Sequence, residues 1–242
     1  MKMERSTGII DSNNRTVYLY VRGGTQQVSN TNIYYERMIV VLSIDPSSIS
    51  ERENYKFLTG SIIPRPIAFV TTVSDDGVLN GAPFSYFNIV SSNPPMISLS
   101  IQRKDGQSKD TARNIIDTKQ FVVHIVDEDN VEKINTTAAS LPPEQSEIEL
   151  AQLTPIDSTI ISVPGIEEAK IRMECILEHS MELGEGESKG CDFIIGRVVQ
   201  FHIEGGIYEK GRIDPKGLKA VSRLAGTGYA KIGELFSIER PD

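Results

Sequence analysis

The chain has no tryptophan, only two cysteines and only three histidines in 242 residues. Cys175 and Cys191 lie far apart, and no Cys or His stands at metal-ligand spacing from either, so a disulfide framework and a zinc site are both unexpected. Aromatic residues make up 7% of the chain, too little material for a stacked-base or oligosaccharide platform. No stretch approaches the ~18 apolar residues of a membrane span. The start lacks the basic segment and apolar run of an export signal. Lys and Arg number 25 against 33 Asp and Glu, a formal net charge of −8, which argues against nucleic acid or an anionic membrane as partner. These absences fit a protein of the reducing cytoplasm. Catalytic signatures are missing too. Gly184-Glu185-Gly186 and Gly226-Thr227-Gly228 lack the spacing and strand-to-helix setting of a dinucleotide fingerprint, and neither a P-loop nor a G-x-S-x-G elbow occurs. The pair Glu167-Glu168 falls in a loop with nothing to make it catalytic.

A chain of this length buries roughly 70% of its unfolded surface, enough for a full core. Residues 1–37 are rich in Ser, Asn, Gln and Gly around one strand-like run, Val17 to Val21, and read as an extension. Either Met38 is the native start and the extension lies upstream of it, or the extension is a β-arm used in dimer contacts. The main domain is expected over 38–242. It opens with a strand at Met38–Ile44 and a helical turn at Glu51–Leu58. Ile63-Pro64-Arg65-Pro66 then forces extended backbone. Further strands are expected at Phe121–Val126, Ala169–Leu183 and Gly190–Glu204, the last two joined by a loop at Gly184–Lys189. Helices are expected at Lys109–Thr118, Asp127–Ala139 and Glu144–Ala151, with a helix or turn near Ala220–Leu224. Antiparallel strands interrupted by helices, without regular βαβ alternation, indicate a mainly β fold, a closed or split barrel with helical excursions.

The most informative stretch is Ile62–Thr111. An apolar run, Pro66–Val73, meets an Asp75-Asp76-Gly77 turn and a second run, Leu79–Val90, as in a hairpin. A third strand, Met96–Ile101, and a polar loop lead to a helix opening near Ser108–Thr111. There, unsatisfied amides, two hydroxyls and the Lys109 ammonium converge, as a phosphate seat requires. Ser85, Tyr86, Phe87 and Asn88 offer backbone polar groups and flat apolar surface suited to a planar heteroaromatic ring. Thr71 and Thr72 are further candidates for its polar edge.

The pattern RPIAFVTT…DG…NGAPFSYFN…SSNPP…KDT resembles the flavin reductase-like family of FMN-binding split β-barrels. The resemblance runs from about Asn54 to Arg240-Pro241, with Arg223-Leu224-Ala225-Gly226 and Tyr229 matching a second block. It implies FMN as cofactor, with Ser85 to Asn88 facing the ring. Ser100, Arg103, Lys109, Asp110 and Thr111 are implied near the ribityl chain and phosphate, with Arg223 and Tyr229 folding back to the site. It also implies a homodimer and hydride transfer from NAD(P)H to flavin, supplied in some members to a partner monooxygenase. A flavoredoxin-like electron carrier with tightly held FMN and protein redox partners is the alternative. His202 is a weaker candidate near the flavin, and no side chain is expected to act as a catalytic acid or base.

Overall fold

The computed structural model describes the backbone at residues 4–5, 9–10, 16–28, 31–139, 141–142, 144–185 and 189–241, with side chains from residue 41 onward. The chain divides into two compact units, 1–61 and 62–242. In the first, β1 (Thr16–Val28) and β2 (Thr31–Ser43) pair antiparallel, from Thr16 opposite Ser43 to Val28 opposite Thr31. The sequence boundary drawn after residue 37 thus falls inside β2. The helix α1 (Glu51–Ser61) starts with a reciprocal cap: Glu53 N–H donates to Ser50 Oγ at 3.3 Å while Ser50 N–H donates to Glu53 Oε2 at 3.1 Å.

The second unit is built on β3 (Ala68–Val73), β4 (Leu79–Phe84), β5 (Phe87–Ser92), β6 (Pro95–Gln102), β7 (Gln120–Ile125), β8 (Ile171–Leu183) and β9 (Cys191–Ile203). These form one seven-stranded sheet in the order β4-β3-β7-β8-β9-β6-β5, antiparallel at every step. Its two end strands are consecutive in sequence, joined through Ser85-Tyr86, and Ser100 N–H on β6 donates to the Tyr86 carbonyl at 2.9 Å. The expected run Leu79–Val90 is therefore two strands broken at that link. The mainly β fold with helical excursions is what the sequence led us to expect.

Period-two alternation sorts the side chains between the sheet's two faces. Ala68, Val70, Phe121, Val123, Leu99 and Ile194 fill the inner core with Ala112 and Ile115 of α2 (Asp110–Thr118). Their strand neighbours point the other way. Phe69 packs with Ile67, Val126, Ile134 of α3 (Val131–Thr136) and Ile148 of α4 (Glu147–Leu150). Gly196 lies so close to the Phe121 ring that a Cβ there would overlap it.

Two expectations need correction. The helix expected at Asp127–Ala139 begins only at Val131, because Asp127 Oδ1 accepts from the N–H groups of Asp129 (2.9 Å) and Asn130 (3.2 Å) and makes those residues a turn. Downstream of α5 (Pro215–Leu218), the region expected as a helix or turn is a strand, β10 (Val221–Arg223), paired with β11 (Tyr229–Lys231) and with Arg65-Pro66. Of the expected loop Gly184–Lys189, residues 186–188 lie outside the described residues.

Candidate functional site

Two adjoining cavities, sharing Pro83, Phe84 and Ala138, form a groove beside β4. The wider, of about 450 Å³, is walled by the loop and helix start from Lys104 to Arg113 and by Asn80, Ala82 and Glu147. That loop is braced from behind. Arg103 donates to both carboxylate oxygens of Asp192 at 2.6 and 3.1 Å and also pairs with Glu182 at 2.9 Å. Ser108 Oγ donates to Asp192 Oδ2 at 2.7 Å. Asp105 and Gly106, at φ 51° and 73°, turn the chain tightly between Lys104 and Gln107.

At the start of α2 the cap position, Lys109, supplies no side-chain acceptor, so the first amides are left to other partners. The Lys109 ammonium lies 5.8 Å from the Phe84 ring centre. Burial, and then the charge of Lys104, hold its pKa below that of an ordinary lysine. Arg113 pairs with Asp110 and donates to the Ser108 carbonyl at 2.6 Å. Below the groove, Thr111 Oγ1 donates to Asn80 Oδ1 at 3.0 Å and Asn80 Nδ2 donates to Glu147 Oε2 at 2.9 Å. Burial pushes the Glu147 carboxyl above its usual range, although the amides of Glu147 and Gly81 and then the Asn80 carboxamide oppose the shift.

The narrower cavity, of about 170 Å³, is bounded by Ser85, Ile67, Val126, Ile134, Arg223 and Tyr229 among others. Tyr229 Oη donates to Asn135 Oδ1 at 2.8 Å, and the Arg223 guanidinium sits 4.4 Å over the Tyr229 ring. Arg223 also donates to the Gly226 carbonyl at 2.6 Å. Arg65 anchors this hairpin to the barrel by donating to the Leu224 carbonyl at 2.9 Å.

Of the residues singled out in the sequence, the groove brings together Ser85, Lys109, Asp110, Thr111, Arg223 and Tyr229. The others lie outside its lining. Thr71 and Thr72 are wholly buried, their hydroxyls donating to the Pro164 carbonyl (2.7 Å) and Asn80 Oδ1 (3.3 Å). Arg103 is held by Asp192 behind the loop, and Ser100 Oγ accepts from Gln102. Tyr86 and Phe87 are half-buried, Phe87 against the inner core, and Asn88 is exposed on the edge strand. His202 bonds Glu174 at 2.6 Å, away from the groove. Sequence reasoning passed over Asn80, Phe84, Lys104, Arg113, Asn135 and Glu147. Asn80 and Phe84 lie inside the motif already quoted, whereas Glu147 sits in an acidic segment with no local signal.

The flavin reductase like domain model matches residues 59–216. The chain belongs to the flavin reductase-like family. A Bacillus cereus structure of nitrilotriacetate monooxygenase component B is 62% identical, with a TM-score of 0.81 over 82% of this chain and 98% of that one. The uncharacterised protein YwrF of Bacillus subtilis is 50% identical over 80% of this chain and 96% of its own length. A protein of Shewanella frigidimarina described as a flavin reductase with a split barrel domain shares the fold, at 20% identity and a TM-score of 0.71 over 81% of this chain and 96% of that one. As a member of this family the chain is a flavin-binding split barrel of oxidoreductase type. Among the described residues, no group of His, Cys, Asp and Glu is placed to hold a metal ion, and no helix is long and apolar enough to cross a membrane.

Proposed function

We propose that this protein is an FMN-dependent NAD(P)H:flavin oxidoreductase of the cytoplasm, acting as a homodimer and supplying reduced flavin to a monooxygenase. The observation that carries the reading is the combination, in one groove, of an uncapped helix start, the Lys109 ammonium 5.8 Å from the Phe84 ring centre, and a flat apolar wall at Pro83-Phe84. The donor set fits FMN. Lys104, Lys109 and the first amides of α2 suit a phosphate monoester, while Phe84 and the Ser85 backbone suit the ring. Cavities of this size fall near or within the usual ~300–1,000 Å³ of small-molecule sites.

FMN, when bound, supplies the ring that accepts hydride from a nicotinamide. The task of the chain's own residues is then placement, since hydride transfer needs stacked rings and no acid or base. Lys109 and the first amides of α2 would hold the phosphate end, and the Arg223–Tyr229 pair, tied to Asn135, walls the other end. The similarity to the Bacillus cereus monooxygenase component supports a partner oxygenase. The test is anaerobic addition of NADH or NADPH to FMN-loaded protein, followed at ~450 nm where oxidised flavin absorbs. Fast bleaching is expected. A flavin that stays oxidised with both nucleotides, yet takes electrons from a reduced protein donor, would replace this reading with an electron carrier.

A further inference from the structure

The buried polar set beneath the groove has no part in the function so far. Asn114 Nδ2 donates to Thr72 Oγ1 at 3.1 Å, Thr72 Oγ1 donates to Asn80 Oδ1 at 3.3 Å, and Thr111 Oγ1 donates to the same oxygen at 3.0 Å. On its other side Asn80 Nδ2 donates to Glu147 Oε2 at 2.9 Å, which also receives the Gly81 N–H at 3.3 Å. All of these side chains are at least nine-tenths buried. We propose that Asn80 is a positioning residue: by tethering Thr111 it fixes the first turn of α2, and so makes the groove select phosphorylated over unphosphorylated flavin. The inference rests on the reading of this groove as the flavin site.

The direction of every bond in the set follows from donor chemistry. Glu147 Oε2 already accepts the Gly81 N–H, and the amide nitrogen of Asn80, the donor end of its carboxamide, faces the same oxygen. That leaves Oδ1 for the two threonine hydroxyls and fixes the carboxamide orientation. Gly81 suits the arrangement, since a Cβ there would come within 2.5 Å of Ile148 Cδ1 and 2.7 Å of Phe69 Cζ and crowd the side chains that pack α4 against β4. The sequence Asn80-Gly81 thus acts as one unit, one residue making the tether and the next admitting the carboxylate that orients it. The first turn needs such a tether. Lys109 gives it no side-chain cap, and the bonds of Arg113 to Asp110 and Ser108 stay within the helix and its own loop. Among the described residues, the Thr111–Asn80 bond is the side-chain link from that turn to the sheet. The ring end of the groove shares Pro83 and Phe84 of β4 but is closed by Ser85, Arg223 and Tyr229, whose side chains take no part in the Asn80 bonds.

The experiment is titration of flavin-free protein with FMN and with riboflavin, followed by flavin fluorescence, together with thermal melting of each variant. Wild type is expected to bind FMN more tightly than riboflavin. Asn80→Ala and Thr111→Val should each lower the FMN-to-riboflavin affinity ratio about tenfold, with riboflavin binding unchanged. The double variant should lose no more than either single one, and Thr111→Ser, which keeps the hydroxyl, should retain the wild-type ratio. Retention of the ratio in Asn80→Ala, equal loss for both ligands, or additive losses would overturn the inference. Should Asn80→Ala fail to fold, the Thr111→Val and Thr111→Ser pair decides it on the same readout. Equal affinity of wild type for both flavins would instead overturn the phosphate seat itself, a failure visible before any variant is made.

Discussion

Partial desolvation, and then the neighbouring charge of Lys104, hold the Lys109 pKa below that of an ordinary lysine. A bound phosphate opposes both contributions. It supplies a counter-charge and raises the lysine pKa, so binding takes up protons wherever the pH lies between the bare and the liganded values. Affinity for FMN should therefore fall as pH rises through that alkaline window, while affinity for riboflavin should not. Replacing Lys109 by Met keeps much of the side-chain bulk over Phe84 and removes the charge. The expected result is an FMN affinity at least about tenfold lower, with riboflavin unaffected and the alkaline fall abolished. Fluorescence titrations of both flavins across the alkaline range check all three. Arg103 shows why a cation in the right motif is a weak guide by itself: its guanidinium is taken up by Asp192 and Glu182 and shapes the loop from behind.

At the scale of elements, the segment at Thr159–Ile161 is held to β8 by one carboxylate. Glu174 accepts from the N–H groups of Thr159 (2.6 Å), Ile160 (2.8 Å) and Ile161 (3.1 Å) and bonds His202 at 2.6 Å. Burial raises its pKa, but the Thr159 amide, then His202 and the amides of Ile160 and Ile161 outweigh it and bring the value to about 2. A carboxylate depressed in the folded state contributes stability that is complete above its unfolded value, 4.5, and is lost as pH falls toward about 2. The contribution is on the order of 3 kcal/mol. Melting temperature measured from pH 6 downward should drop through this window. Glu174→Gln should melt lower near neutrality and show a flatter acid limb; an unchanged acid limb would refute the assignment. None of this was legible in sequence, since Glu174 lies in a strand pattern without punctuation and its partners are 13–15 residues upstream and 28 downstream. What was legible follows from local physics. Apolar, strand-like runs marked β3, β7, β8 and β9, and the polar loop before Ser108 marked the start of α2. Errors arose where a side chain competed with the backbone, as at Asp127, or where pairing with a distant segment decided the structure, as Arg65-Pro66 does for Val221–Arg223. The same reason separates the site residues found from those missed. Lys109 and Thr111 announce themselves by adjacency, whereas Glu147 reaches the groove only through its contact with β4.

At the scale of the whole molecule, the barrel unit leaves apolar surface that a solitary chain gains nothing by showing. Among the described residues the edge strand β5 has one side without a sheet partner, and it exposes Ile89 at 77% and Val90 at 44%. A register shift between Ile89 and Ser91 bulges the strand at that point, a device that bends an edge and re-aims its side chains. In the C-terminal segment Phe236 and Ile238 are each 81% exposed. Single exposed apolar residues are ordinary, but a β-branched pair on an unpaired edge invites association. Because β5 follows Ser85 and Tyr86 directly, a contact made there bears on the ring end of the groove. We expect a second copy to cover this edge, giving a homodimer that buries about 800 Å² on each partner. Sedimentation equilibrium at micromolar protein should return twice the chain mass. Ile89→Lys places a charge at the centre of the contact and should shift the equilibrium to monomer, lowering the melting temperature only by the stabilisation that association supplied, so that the variant melts at a temperature independent of protein concentration. A wild type that sediments as a monomer would refute the dimer. A dimer indifferent to Ile89→Lys would place the contact on another face and release the ring end of the groove from any part in it.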